Sequence, residues 1–160
     1  MAVLTLDAAV AFVEEHRSAT KKIIFTNGVF DLLHVGHTRY LKRARDLAKP
    51  SVLIVGVNAD SSVRTLGKGD DRPITPEDER AELLSSLTFV DAVVIFPEGT
   101  PETLIRRLRP DILVKGSDWE GRENPGQAFV EACGGSMKFI PVETGHSTTS
   151  LLDRIKRSRS

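Results

Sequence analysis

Lys22-Ile-Ile-Phe-Thr-Asn-Gly-Val-Phe-Asp-Leu-Leu-His-Val-Gly-His37 is the stretch on which the reading of this chain turns. Its first four residues form a short apolar run, as a buried strand requires. From Leu32 onward, Leu33, Tyr40, Leu41, Ala44, Leu47 and Ala48 recur at helical spacing. The stretch therefore reads as a strand, a glycine-containing turn and the opening of a helix. On that helix His34 and His37 are three residues apart and share a face. Gly36 lies between them and has no side chain, so something bulky can lie against the backbone there. A helix N-terminus carries unpaired N–H groups and a positive dipole end, which favour an anion such as phosphate. Two imidazoles over that end add hydrogen-bond donors as phosphate charge develops. The expectation is a cradle for a nucleoside triphosphate. A zinc pair is the competing use of two histidines, but helical zinc pairs are more often spaced i, i+4 and need further ligands. His16, His146 and Cys133 supply no second cluster of ligand spacing, so no metal site is expected from these side chains.

The remaining chain supports a single domain around that cradle. Its 160 residues are 40% hydrophobic and 28% charged, which suits one core and an ordinary globular surface. Apolar runs stay far short of a membrane span, and the start lacks the pattern of a signal peptide. One cysteine cannot form an internal disulfide, which fits a reducing cytoplasm. The net charge of zero, with Lys and Arg scattered, argues against nucleic acid as a partner.

In order, Leu6, Ala9, Val10, Phe12 and Val13 make an amphipathic helix that Thr5 or Asp7 can cap. Residues 1–20 are expected to pack this helix on the core, or to present its apolar face to a second copy. Ser51-Val-Leu-Ile-Val-Gly-Val57 is a strand covered on both faces, and Asn58-Ala-Asp60 follows its C-terminal end. Arg64 to Thr75 reads as an exposed, mobile lid loop. Thr75 is expected to cap the next helix with Pro76 at its first position, burying Ala81, Leu83, Leu84 and Leu87 while Arg80 projects. Val90-Asp-Ala-Val-Val-Ile-Phe96, Asp111-Ile-Leu-Val114 and Lys138-Phe-Ile-Pro-Val142 are further strands, with helices through Leu104, Ile105 and Leu108, through residues 124–133, and from residue 148 onward. Alternation of this kind gives a five-stranded parallel sheet with helices on both faces. Ligands bind such sheets beyond the strands' C-terminal ends, so Lys115, Asp118 and Thr144-Gly-His-Ser-Thr-Thr149 should converge on one cleft. Capping by Ser147 or Thr148 alone is sufficient reason for that last stretch, as a surface ion pair is for Lys115 and Asp118.

Asn27-Gly-Val-Phe-Asp-Leu-Leu-His-Val-Gly-His37 resembles the His-x-Gly-His signature of the nucleotidyltransferase superfamily, in its cytidylyltransferase-like branch. Gly145-His-Ser-Thr-Thr149 is similar to the Gly-x-Ser-Thr-Thr stretch of the same family. The resemblance covers residues 21 to 155 and implies a Rossmann-like three-layer α/β/α domain over residues 21–160. It also implies joining of a nucleoside triphosphate to a phosphorylated small molecule, with release of pyrophosphate. Carried over residue by residue, His34, His37 and Lys68 are expected to be catalytic. Asn27, Gly28, Phe30, Gly36, Lys115, Asp118, Ser147, Thr148 and Thr149 are expected to hold the nucleotide. Asp31, Asp60 and Arg72 are expected to approach the acceptor. Mg²⁺ is expected on the nucleotide phosphates, with no dedicated carboxylate cage. Within the family, the chain is most similar to bacterial heptose phosphate adenylyltransferases. The stretches that carry this are Arg72-Pro-Ile-Thr-Pro76, Glu79-Arg-Ala-Glu82, Phe89-Val-Asp-Ala-Val-Val94 and Leu108-Arg-Pro-Asp-Ile-Leu-Val-Lys-Gly116. That resemblance implies transfer of AMP from ATP to a sugar 1-phosphate, in a stand-alone form without the sugar kinase to which some members are fused. Asp118-Trp-Glu-Gly121 is instead similar to glycerol phosphate cytidylyltransferases, whereas Glu143 stands where the cytidylyltransferases carry an arginine. A catalytically idle nucleotide-binding module is the reading from another class.

Overall fold

The computed structural model describes residues 2–67, 72–143, 145–146 and 148–158, apart from the side chain of Lys156. Six strands form one parallel sheet: β1 (Ala2–Leu4), β2 (Lys22–Gly28), β3 (Ser51–Asn58), β4 (Ala92–Phe96), β5 (Ile112–Gly116) and β6 (Ser136–Ile140). Their spatial order is β1-β4-β3-β2-β5-β6, and every neighbouring pair is parallel. The expectation of five strands misses β1, which aligns Ala2, Val3 and Leu4 with Ala92, Val93 and Val94 at the sheet edge. Three residues are too few to show an alternating pattern, and the partner lies ninety positions away.

Period-two alternation decides which face each strand residue serves. Ile23, Phe25, Val52, Ile54, Val94 and Leu113 join a core with Ala9 and Val13 of α1 (Leu6–Ser18), Leu104, Ile105 and Leu108 of α5 (Glu102–Leu108) and Val130 of α6 (Gln127–Ala132). Ile24, Leu53, Val55, Val57, Val93 and Val114 join the opposite core, under Leu41 and Ala44 of α2 (Val35–Arg45) and Ala81 and Leu84 of α4 (Glu77–Ser85). The two cores give the three-layer α/β/α arrangement. Thr5 caps α1, its Oγ1 accepting from the Ala8 N–H at 3.3 Å. Leu6, Val10 and Phe12 turn onto the core, so the apolar face of α1 gives no ground for a second copy.

Several local expectations change. α3 (Asp60–Thr65) occupies the start of the supposed lid loop. α4 begins after Pro76, which has extended geometry and is the N-cap, so Thr75 does not fill that role. Leu83 is exposed, and Arg80, far from projecting, is 1% exposed. The chain steps outward from β2 through β3 and β4 to one side, and through β5 and β6 to the other. Beyond the C-terminal ends at that switch, such sheets open a crevice, and residues 28–37 emerge there. Among the described residues, no helix is long and apolar enough to cross a membrane.

Candidate active site

A cleft of about 770 Å³ opens over the C-terminal ends of the strands. Its floor is the stretch quoted at the outset. β2 runs on to Gly28, and Phe30 turns the chain with φ of 50°. The ring of Phe30 lies over Gly28, where an added Cβ would come within 3.1 Å of it. His34 has extended geometry and is the N-cap of α2, so only His37 lies on the helix. The two imidazoles nevertheless stack, with centroids 3.7 Å apart and planes 20° apart. Phe30 meets His37 edge-on at 5.1 Å.

The bulky group against Gly36 belongs to the chain itself. An added Cβ would stand 3.0 Å from the His34 ring and 3.1 Å from the Cβ of His146. Burial lowers the pKa of His34, and the nearby charge of His146 adds to the effect. His34 Nδ1 is buried with no hydrogen-bond partner among the described residues. An anion arriving over the start of α2 would supply the missing interaction and favour the protonated ring.

On the β5–β6 side, Lys115 is 7% exposed and its Nζ donates to Asn27 Oδ1 at 2.5 Å. Burial pulls this ammonium down to about 8, partly offset by the charge of Asp118. It is no surface ion pair. The single tryptophan, Trp119, borders the cleft 5.3 Å from Lys115 Nζ. Thr26 Oγ1 donates its one proton to the Val114 carbonyl at 3.0 Å, so the Tyr40 hydroxyl 2.8 Å away must donate to Thr26. Burial accordingly raises the pKa of Tyr40. Glu143 accepts from Arg39 Nη1 at 2.6 Å and Arg43 Nη2 at 3.0 Å, and these bonds hold its carboxyl below the usual range. They tie the segment after β6 to α2.

On the β3–β4 side the charges are buried and paired. Asp31, 3% exposed, accepts from the N–H groups of Ile74 and Thr75 at 2.8 and 3.0 Å and from Arg72 Nε. Arg80 donates to the Thr75 carbonyl at 2.8 Å, the Val29 carbonyl at 2.6 Å and Asp60 Oδ1 at 2.6 Å. One guanidinium thus joins the turn before the histidines, the end of the lid segment and the start of α3.

The cleft is lined by Asn27, Gly28, Phe30, Asp31, His34, Gly36, His37, Arg72, Lys115, Asp118 and Thr148, as the sequence led us to expect. Asp60 and Thr149 do not line it, because Asp60 is engaged by Arg80 and Thr149 is exposed at the start of α7 (Thr148–Arg157). Asp31 and Arg72 reach the cleft already paired with each other, not as free groups on an open lid. Lys68 and Ser147 lie outside the described residues. Sequence reasoning gave no site role to Tyr40, Arg43, Trp119 or His146 and placed Asn58 only at the ligand-binding end of its strand; all five line the cleft. His146 was legible only through its place inside the Gly-x-Ser-Thr-Thr stretch. Among the described residues, no three His, Cys, Asp or Glu side chains cluster to hold a metal ion.

Residues 25–134 match the family model described as cytidylyltransferase-like. The chain belongs to the cytidylyltransferase-like family. This family placement makes it a nucleotidyltransferase-type enzyme. It is 52% identical over 136 residues to the bifunctional protein HldE of Campylobacter curvus, covering 85% of this chain and 28% of that protein. It is 44% identical over 156 residues to the bifunctional protein HldE of Geobacter metallireducens, covering 98% of this chain and 31% of that protein. The chain thus spans about three tenths of the length of these curated relatives. Among solved structures, it is similar to the lipopolysaccharide core biosynthesis protein from Thermoplasma volcanium. There the identity is 33% and the TM-score 0.62, covering 76% of this chain and 96% of that one.

Proposed function

We propose that this chain transfers AMP from ATP to a sugar 1-phosphate, D-glycero-D-manno-heptose 1-phosphate, giving ADP-heptose and pyrophosphate. The observation that carries the reading is the stacked His34–His37 pair over the start of α2, at the centre of a cleft with a buried lysine on one side. Its likeness to proteins named HldE and to a lipopolysaccharide core biosynthesis protein supports the sugar. Glu143 supports ATP over CTP, since the cytidylyltransferases it resembles carry an arginine there.

In this mechanism an anionic oxygen of the acceptor phosphate attacks the α-phosphorus in line. The bond from that phosphorus to the bridging oxygen breaks, and its electron pair leaves with pyrophosphate. The nucleophile is already charged, so it needs no general base and no covalent enzyme intermediate. His34 and His37 donate to phosphate oxygens as charge shifts toward the leaving group. Lys68, Ser147 and Thr148 hold the β- and γ-phosphates, and Lys115 and Asp118, with Asn27, hold the nucleoside. Charge neutralisation of the leaving group would be supplied by Mg²⁺ carried on the triphosphate, with no side chain of this chain assigned to hold it. Residues 21–160 are the transferase domain in this proposal, residues 1–20 close the sheet edge, and the reaction is assigned to the cytoplasm.

The test is pyrophosphate release with ATP or CTP, each paired with heptose 1-phosphate or glycerol 3-phosphate. Turnover with ATP and the heptose is expected. Turnover confined to CTP and glycerol 3-phosphate would replace this reading with the one suggested by Asp118-Trp-Glu-Gly121. His34→Ala should keep nucleotide binding and lower kcat by about 10²–10³. An unchanged rate would remove the imidazole pair from the chemistry.

A further inference from the structure

The β3–β4 flank of the cleft is lined by Asn58, Arg72, Gly99, Thr100 and Pro101. The charged groups beside it are committed to the protein: Asp31 to Arg72 and two backbone N–H groups, Asp60 to Arg80. Asn58 is different. It is the last residue of β3 and is only 5% exposed. Its Nδ2 donates to Ser62 Oγ at 3.3 Å, and that hydroxyl spends its own proton on the Ala59 carbonyl at 3.0 Å. The amide is therefore fixed with its nitrogen on Ser62, and among the described residues Asn58 Oδ1 has no partner. An amide oxygen that lines the cleft with no protein donor, on a side chain held by Ser62, is placed to accept from a ligand hydroxyl.

Arg72 complements it. Its Nε is taken by Asp31, while its terminal nitrogens have no partner among the described residues. Gly99 and Pro101 bring no charge, and Thr100 brings a hydroxyl. A single cation beside neutral acceptors and donors suits a phosphate ester with a hydroxylated body. It does not suit a cationic acceptor.

We infer that Asn58 is a specificity-determining residue for the acceptor, its Oδ1 accepting a hydrogen bond from a hydroxyl of a phosphorylated polyol whose phosphate meets the terminal nitrogens of Arg72. The inference rests on the transferase reading above and names which flank receives the acceptor. The nucleotide is assigned to the β5–β6 flank and the α-phosphate to the histidines between them. An acceptor on the β3–β4 flank then reaches the α-phosphorus without crossing the nucleoside's flank, as an in-line attack opposite the leaving pyrophosphate requires.

The test compares wild type with Asn58→Leu, which keeps the volume and removes the acceptor atom, and Asn58→Asp, which keeps an oxygen there. Thermal unfolding checks folding, and the fluorescence of Trp119 reports ATP affinity. For Asn58→Leu, KM for the sugar phosphate should rise about tenfold or more, from the lost hydrogen bond, with the ATP dissociation constant unchanged. Asn58→Asp should restore most of the loss. An unaltered acceptor KM, or an equal loss of ATP affinity, overturns the inference. If only glycerol 3-phosphate is turned over, the same shift is expected with that acceptor, so an error in the sugar is separable from an error about Asn58. If no acceptor is turned over, calorimetry with heptose 1-phosphate and a non-hydrolysable ATP analogue decides. Weaker binding to Asn58→Leu than to wild type supports the inference, and equal or absent binding overturns it.

Discussion

On the β3–β4 side of the cleft, the Arg80 side chain is 0% exposed and spends its fork on two carbonyls and Asp60. On the other side, Arg39 and Arg43 are 54% and 50% exposed and share one carboxylate, Glu143. Both arrangements fasten a cleft-lining segment to its neighbour with guanidinium groups. They differ in what water does to them. Removing one partner of a buried pair leaves desolvated groups with nothing to bind, whereas an exposed pair is readily replaced by solvent. The first flank is therefore a fixed frame, and the second is an adjustable one beside the proposed nucleotide site.

The hardest test of that difference is Arg80→Leu. It strands the Val29 and Thr75 carbonyls and Asp60, and should cost about 3–5 kcal/mol of unfolding free energy. Denaturant titration would read this directly, and a loss below about 1 kcal/mol would put Arg80 in the same class as the exposed pair.

Lys115 gives an intermediate test through pH. Its pKa in the free protein is pulled down to about 8 by burial. Above that value the free protein has lost the proton that an anionic nucleotide requires, so binding must take one up. The Lys115 contribution to ATP affinity should be constant below pH 8 and fall above it by up to about tenfold per pH unit. Lys115→Met should bind weakly with no such slope. The same lysine makes the nucleotide-free protein more stable as pH rises from about 8 toward 10.5, because the unfolded chain then holds more protons.

The smallest effect belongs to Glu143→Gln. Exposed ion pairs contribute little and are screened by salt. A slight fall in the ATP dissociation constant at low salt, from the freed charge of Arg39 and Arg43 and vanishing at high salt, is expected. A salt-independent loss would mean that Glu143 touches the nucleotide itself.

The sheet was legible wherever a strand is covered on both faces: β3 is buried along its whole length and reads as an unbroken apolar run. β1 was not, because its structure comes from β4 and from nothing local. The histidine pair was legible as a pattern, but its geometry was not. Helical spacing places His34 on α2, whereas the chain reaches the stack by ending an extended segment there. Arg80 misled because a charged residue in a polar first turn ordinarily faces water. Its three acceptors come from Val29, Thr75 and Asp60, which sequence spacing cannot bring together. Asn58 was noted at the end of its strand, but only Ser62 and the cleft wall show which of its atoms is left over.

Gly36 carries a consequence for how such a site can change over generations. Any side chain there would press on the His34 ring and the Cβ of His146, so the glycine guards the chain's own imidazole stack as well as room for a ligand. The letters of His34-Val-Gly-His37, and His146 more than a hundred positions away, therefore cannot drift independently. A lineage that replaced the glycine would need the His34 ring or His146 to give way by a few tenths of an ångström, which ties the three positions sterically to one another.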